Sequence, residues 1–270
     1  MNDMRVAVIG CGPAGLAAAH AAHGLGAGVT IFSPGIKSPQ RGPLVLQRPI
    51  PGITRDQPQY IKQLVIGGSI LDYRYRLYGD INIDIQGDQL REGYHCWNHI
   101  ETYDALWELY MTPGLGRADH VFTMVKPSHL YEMIESDKFG LIVNTAPLID
   151  LCCLNHEFRF QAVQITEGHS YPDQPPDTTV FNAGDDFPWV RSAWLLGNSC
   201  TEWLPGTAPA HLNPITIRKP IGHNCNCYPT VLGTGRFGAW KNEKWVDTAY
   251  YETRDALISI KRSPQWARVK

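Results

Sequence analysis

Residues 6–9 form an unbroken apolar run that stops at a cluster of glycines, and an Ala/Leu-rich stretch then reaches about residue 23. The run predicts a buried parallel strand and the stretch predicts a helix. A second apolar run, residues 29–32, follows Gly24-Leu25-Gly26-Ala27-Gly28 and predicts another strand. Strand, turn, helix and strand in this order make a compact βαβ unit. Further on, residues 138–150 read as a strand leading into a Thr-Ala-Pro turn. Residues 157–165 and 179–197 are β-rich with partial alternation. Residues 99–110 predict a helix with Ile100, Tyr103, Ala105, Leu106 and Trp107 on an apolar face, a pattern that suits a core better than a substrate platform. Residues 231–257 predict a Gly-Arg loop followed by an amphipathic helix.

Composition narrows the class. The chain has 270 residues, 43% hydrophobic and 19% charged, which is the make-up of a soluble globular protein with room for a full α/β core. Its net charge of -2 argues against wholesale nucleic-acid binding. No apolar run approaches the ~18 residues of a membrane span, and the N-terminal residues lack a signal peptide's layout. Seven scattered cysteines, one of them inside the glycine turn, suit a reducing cytoplasm better than a disulfide framework. The basic segment 261–270 reads as a solvated tail, and the oligomeric state is left open.

The glycine turn carries the chemistry. Gly10-Cys11-Gly12-Pro13-Ala14-Gly15 is a GxGxxG fingerprint between a strand and a helix. Gly10 allows the tight turn, Gly12 lets the backbone approach a pyrophosphate, and Gly15 lets the helix pack close to the strand. The helix N-terminus then meets the phosphates with N–H groups and a favourable dipole. The acid that ordinarily ends the second strand and binds the ribose is replaced by Ser33, a weaker partner. Lys37 and Ser38 stand where a 2′-phosphate would be met, which keeps NADP open beside FAD.

The order of motifs then resembles that of a known family. The stretch GCGPAGL, with Pro13 and Ala14 inside the fingerprint, is similar to the opening of flavoprotein FAD sites. Thr145-Ala146-Pro147-Leu148-Ile149-Asp150, Phe158-Arg159-Phe160, residues 182–191 and Gly235-Arg236 follow in the order of the FAD-dependent amine oxidase and UDP-galactopyranose mutase superfamily. The chain resembles a small, divergent member lacking the mutases' helical insertion. The resemblance implies FAD held by Gly10, Gly12, Pro13, Ala14 and Gly15 and by the closing Gly235-Arg236 loop. It places Thr145, Ala146 and Pro147 beside the flavin, and Arg41 and Gly42 near the pyrophosphate. It also implies a strand at residues 72–79 and a substrate-facing Arg191, one of the family's two arginines. Trp240 keeps an aromatic near the substrate, whereas Asn242 and Lys244 replace a Tyr and an Asp, which argues for a different reaction or substrate.

The expected fold is α/β. A Rossmann-type FAD domain, discontinuous over residues 1–68, 116–150 and 220–270, carries an inserted antiparallel β-sheet substrate layer over 69–115 and 151–219. The expected function is an FAD-dependent oxidoreductase acting on a small polar or anionic molecule (an amine, an amino acid or a nucleotide-derived group). A redox-neutral mutase-like isomerase and a non-catalytic flavin- or nucleotide-binding module are the alternatives. His223 reads as a proton carrier near the flavin or as a plain loop residue. His223, Cys225 and Cys227, with Cys152-Cys153 as further thiols, are too sparse for a metal, and none is expected. Simple alternation sets Trp189, Arg191 and Ala193 on one face of a strand, with Asp185 and Asp186 in the preceding turn.

Overall fold

A computed structural model describes residues 4–41, 44–55, 57–83, 92–114, 116–171 and 173–263. β1 (Arg5–Ile9) passes through the glycine turn into α1 (Pro13–Gly24), and β2 (Gly28–Ser33) returns parallel to β1. Val6, Ala7 and Val8 are wholly buried, as a parallel strand covered on both faces requires. β3 (Val45–Leu46) and β4 (Gln59–Ile66) belong to a second sheet. α2 (Ile70–Tyr78), β5 (Gly93–Asn98) and α3 (His99–Met111) follow, and β6 (Asp119–Phe122) rejoins the first sheet beside β2. α4 (Pro127–Glu135), β7 (Leu141–Asn144) and α5 (Leu148–Leu151) come next. Then come β8 (Phe158–Glu167), β9 (Thr178–Asn182), β10 (Trp189–Leu195), β11 (Asn198–Trp203) and β12 (Ile215–His223). β13 (Leu232–Gly233), α6 (Gly235–Gly238) and α7 (Val246–Arg262) complete the described order.

The first sheet is parallel, in the order β13-β7-β1-β2-β6. The second runs β12-β8-β11-β10-β9-β4-β5-β3 and is mixed rather than antiparallel, because β4 and β9 pair in parallel. These two strands lie far apart in the chain, so no hairpin dictates their direction. The sheets also divide the chain differently from the expected segments: β3 and β4 leave the first 68 residues for the second sheet. α3 packs on α1 instead, burying Tyr103, Leu106 and Tyr110 in the same core as Leu16 and Leu257. Among the described residues, no helix is long and apolar enough to cross a membrane.

Two local expectations are corrected. Residues 72–79 are helical, not extended, because they continue α2. Ser69 and Asp72 form a reciprocal capping box, and Gly79 ends the helix in the left-handed conformation. Tyr73 and Leu77, four residues apart, are its buried positions. In β10, a bulge between Trp189 and Arg191 breaks simple alternation. Arg191 pairs with Glu202 and Phe181, whereas Trp189 stands opposite Trp203 and packs against Tyr171.

Candidate functional site

The turn between β1 and α1 is built by three glycines with different tasks. Gly10 has φ +102, which only glycine adopts cheaply, and its N–H donates to the Phe32 carbonyl at 2.9 Å. A Cβ on Gly15 would run into the Gly10 carbonyl oxygen, so this glycine lets the helix close on the strand. Gly12 is different: an added Cβ would find only Ser38 Oγ, at 3.8 Å. Gly12 is also the N-cap of α1, with Pro13 in the first turn and no side chain capping the helix. The first turn of α1 therefore carries the positive end of the helix dipole without a side-chain cap.

β7 and the closing segment shut the back of this turn. Thr145 donates both its backbone N–H (3.0 Å) and its hydroxyl (2.7 Å) to the Ile9 carbonyl. The Asn144 side chain brackets Ala146, accepting its N–H at 3.1 Å and donating to its carbonyl at 3.2 Å, just before Pro147. The Thr234 N–H donates to the Asn144 carbonyl at 3.0 Å, and its hydroxyl donates to Glu252 at 2.6 Å. Lys244 pairs with the same Glu252, so α7 anchors the loop. Gly235 has φ +67, and Gly238 packs against the Asn144 carbonyl, where a Cβ has no room.

The residues beyond β2 are placed less simply. Ser33 is buried and its Oγ accepts the Gly35 N–H at 3.2 Å. Lys37 is held by Asp104 at 2.8 Å and lies near the rings of Tyr103 and Trp107. Tyr103 also donates to the Cys11 carbonyl at 3.3 Å and accepts the Ser38 N–H at 3.1 Å, tying α3 to the turn. Arg41 pairs with Glu167 of β8 at 2.9 Å and so ties the crossing segment to the second sheet. Gly42 lies outside the described residues.

The inner face of the second sheet carries a buried ion cluster. Glu202 is 1% exposed and binds Arg191 and Lys219, each at 2.5 Å. Burial works against its carboxylate, but the two cations win and hold its pKa down at about 2. Burial is also the largest influence on Arg191, yet Glu202 leads the groups that push its pKa up. Lys219 moves the other way, down to about 8, because burial and the charges of Arg191 and Arg236 outweigh the pull of Glu202. The half-buried Arg236 acts electrostatically on this cluster, and its own pKa is lowered by burial and then by Arg191. Arg191, Lys219 and Arg236 thus outnumber Glu202, and the buried Arg191 Nε has no partner. An excess of buried positive charge with an unpartnered donor suits an anion.

Two neighbours of this cluster, and two of its members, have no sequence signature. His99 is buried, with Nε2 2.8 Å from Gln40 Oε1, and burial followed by Arg236 pushes its pKa down to about 4. Tyr78 accepts from Asn242 at 3.3 Å and is raised to about 12, by burial first and Glu202 second. Glu202 and Lys219 read in sequence as ordinary strand charges. The paired acids behave as turn residues: Arg76 of α2 approaches Asp185 at 3.6 Å and donates to the Asn182 carbonyl at 3.0 Å.

His223 and Trp240 come together through Phe158. His223 stacks on that ring at 5.8 Å and Trp240 meets it edge-on at 5.4 Å. Trp240 has φ +50, and its indole N–H donates to the Arg159 carbonyl at 3.0 Å. His223 Nδ1 accepts the Cys225 N–H at 3.0 Å. Cys225 and Cys227 are joined by Cys152 and His156, with all four ligand atoms within 4.8 Å of one another. His156 is the member the sequence reading lacked, because it stands 71 residues before Cys227 in the chain.

No protein-family model matches the sequence, and no curated protein matches it. Solved structures do match over nearly the whole chain. A reduced UDP-galactopyranose mutase aligns with 97% of this chain and 93% of its own, at 10% identity and a TM-score of 0.52. The p-nitrophenol 4-monooxygenase of Pseudomonas putida DLL-E4 aligns with 97% of this chain and 81% of its own, at 12% identity and a TM-score of 0.51. A flavoprotein/dehydrogenase of Cytophaga hutchinsonii aligns with 96% of this chain and 78% of its own, at 12% identity and a TM-score of 0.52. At this identity the likeness is one of architecture, and the chain shares its fold with these three proteins.

Proposed function

We propose that the protein is an FAD-dependent oxidoreductase acting on a small polar or anionic substrate. The observation that carries this reading is the turn at Gly10–Gly15, open in front of Gly12, uncapped at α1 and closed behind by Thr145 and Gly235. The strand order of the parallel sheet, with β1 central and β2 and β7 on either side, supports a Rossmann-type cofactor domain. The first-turn N–H groups of α1 would bind the pyrophosphate, and the Ser33 hydroxyl, already accepting from Gly35, would donate to the ribose. Thr145, Ala146, Pro147 and the Gly235-Arg236 loop would flank the flavin. FAD bound there would supply two-electron redox chemistry. On the sheet side, Arg191, Lys219 and Arg236 hold an anionic group, with Glu202 fixing their orientation. Trp240 and Phe158 exclude water beside them, and His223 is the proton carrier closest to that wall. The free thiols suit a reducing compartment such as the cytoplasm.

A redox-neutral isomerase of the mutase kind is the second reading. It is favoured by the electrostatic proximity of Arg236 to Arg191, since a diphosphate leaving group needs two such cations. Purified protein should be yellow, and anaerobic reduction followed by UDP-galactofuranose separates the two chemistries. Net oxidation of a substrate with bleaching of the flavin supports the first; turnover of the sugar nucleotide without it supports the second. Colourless protein that takes up no FAD rejects both.

A further inference from the structure

We infer that Cys152, His156, Cys225 and Cys227 form a structural zinc site of the three-cysteine, one-histidine kind. The distances fit. Cys152 Sγ lies 3.6 Å from Cys225 Sγ and 3.9 Å from Cys227 Sγ, while His156 Nδ1 lies 3.2 Å from Cys152 and 3.5 Å from Cys227. Zn–S bonds of about 2.3 Å and Zn–N bonds of about 2.0–2.1 Å put tetrahedral ligand atoms about 3.5–3.8 Å apart. A disulfide would use two of the sulfurs and leave the third thiol and the imidazole without a reason to converge. Three thiolates and a neutral imidazole are a soft donor set that selects zinc over magnesium or calcium. All four side chains are half-buried, and four protein ligands leave no position for a substrate, so the site is closed and structural.

The position in the fold explains what the metal does. After β7, the chain crosses from the first sheet to the second through Cys152–His156; after β12, it crosses back through Cys225–Cys227. These two crossings are already joined on each side of the cluster. The Glu157 N–H donates to Asn224 Oδ1 at 2.9 Å, and the Tyr228 hydroxyl donates to the Leu151 carbonyl at 2.9 Å. Zinc therefore staples the two crossings together, between the strand that leads to Thr145 and the segment that leads to Gly235. Each thiol gives up its proton on binding, so the metal is taken up with release of acid.

Elemental analysis of protein purified without chelators should find about one zinc per chain, and X-ray absorption at the zinc edge should fit three sulfurs and one nitrogen. Cys227→Ser and His156→Ala should lose the metal, whereas Cys153→Ser, altering the exposed neighbour, should keep it. Should the first two variants fail to fold, alkylation of the wild-type protein decides. Cys153 should react at once, and Cys152, Cys225 and Cys227 only after a zinc chelator is added. Metal-free protein with all of these thiols reactive, a Cys152–Cys225 disulfide in the intact protein, or an absorption edge without sulfur would each overturn the site. None of these readouts depends on flavin.

Discussion

Gly235 stands so close to Ala14 that a Cβ on the glycine would lie 2.6 Å from the alanine's own Cβ. The closing segment of the second crossing is thereby the wall of the first turn, and two parts of the chain far apart in sequence make one side of the same site.

Gly235→Ala tests that wall. The residue must keep φ +67 while adding a methyl group against Ala14, so a loss of ~1–3 kcal/mol is expected, with weaker flavin retention. Gly24→Ala is the control, since nothing lies within 4 Å of its added Cβ; it should leave the melting temperature unchanged or raise it. Equal melting curves for Gly235→Ala and wild type would show that the wall gives way.

Gly12→Val should separate folding from cofactor binding. Its φ is -67, and an added Cβ meets only Ser38 Oγ at 3.8 Å, so the fold accepts the side chain. The branched methyls would instead occupy the space reserved for the pyrophosphate. The variant should unfold at the wild-type urea midpoint and purify colourless. Full flavin content in the purified variant would refute the placement of FAD.

Arg191→Ala should cost stability as well as binding. It leaves the buried Glu202 with Lys219 alone, and breaking a buried pair costs about 3–5 kcal/mol. Anion affinity, followed by flavin fluorescence during a sulfate titration, should fall about tenfold or more, which is the loss of one charge-assisted hydrogen bond. An exposed ion pair would contribute only ~0–1 kcal/mol, so an unchanged urea midpoint would contradict the buried network.

Anion binding should weaken as pH rises through about 8, where Lys219 loses its proton in the folded protein. Below that pH the ammonium attracts the anion; above it the charge is gone. Lys219→Met should bind weakly at every pH and lose the step. Glu202 acts at the other end of the scale. Its folded pKa of about 2 lies below its ordinary 4.5, so its contribution to stability is complete above pH 4.5 and is lost as pH falls toward 2. Acid unfolding curves of Glu202→Gln should therefore be flatter over that window, and curves parallel to wild type would exclude the carboxylate as their source.

How much of this was legible depends on how local each signal is. The Gly10–Gly15 turn, the strands on either side and α1 are local, because glycine geometry and apolar runs specify them without help from the rest of the chain. Residues 72–79 misled because their resemblance to a family strand outweighed a plain helix signal, Ser69-x-x-Asp72 ahead and Gly79 behind. Trp189 was set on the same face as Arg191 because a bulge leaves no mark in a strand's alternation. Glu202, Lys219 and His99 were invisible as site residues, since only the pairing of β10 with β11, and of β11 and β12 with β8, and the packing of α3 bring them near Arg236. The thiols at 152, 225 and 227 were all noted in the sequence, but His156 was not, since it and Cys152 come from one crossing and Cys225 and Cys227 from the other.

The parallel pairing of β1 with β7, and of β7 with β13, has a consequence in time. A ribosome delivers the glycine turn more than 200 residues before its wall at Gly235, and such distant pairings are slow to form. Until residues 232–238 have emerged, the nascent chain holds only one side of the cradle proposed for the cofactor. On that proposal a ribosome stalled between the two carries a chain that added FAD cannot rescue.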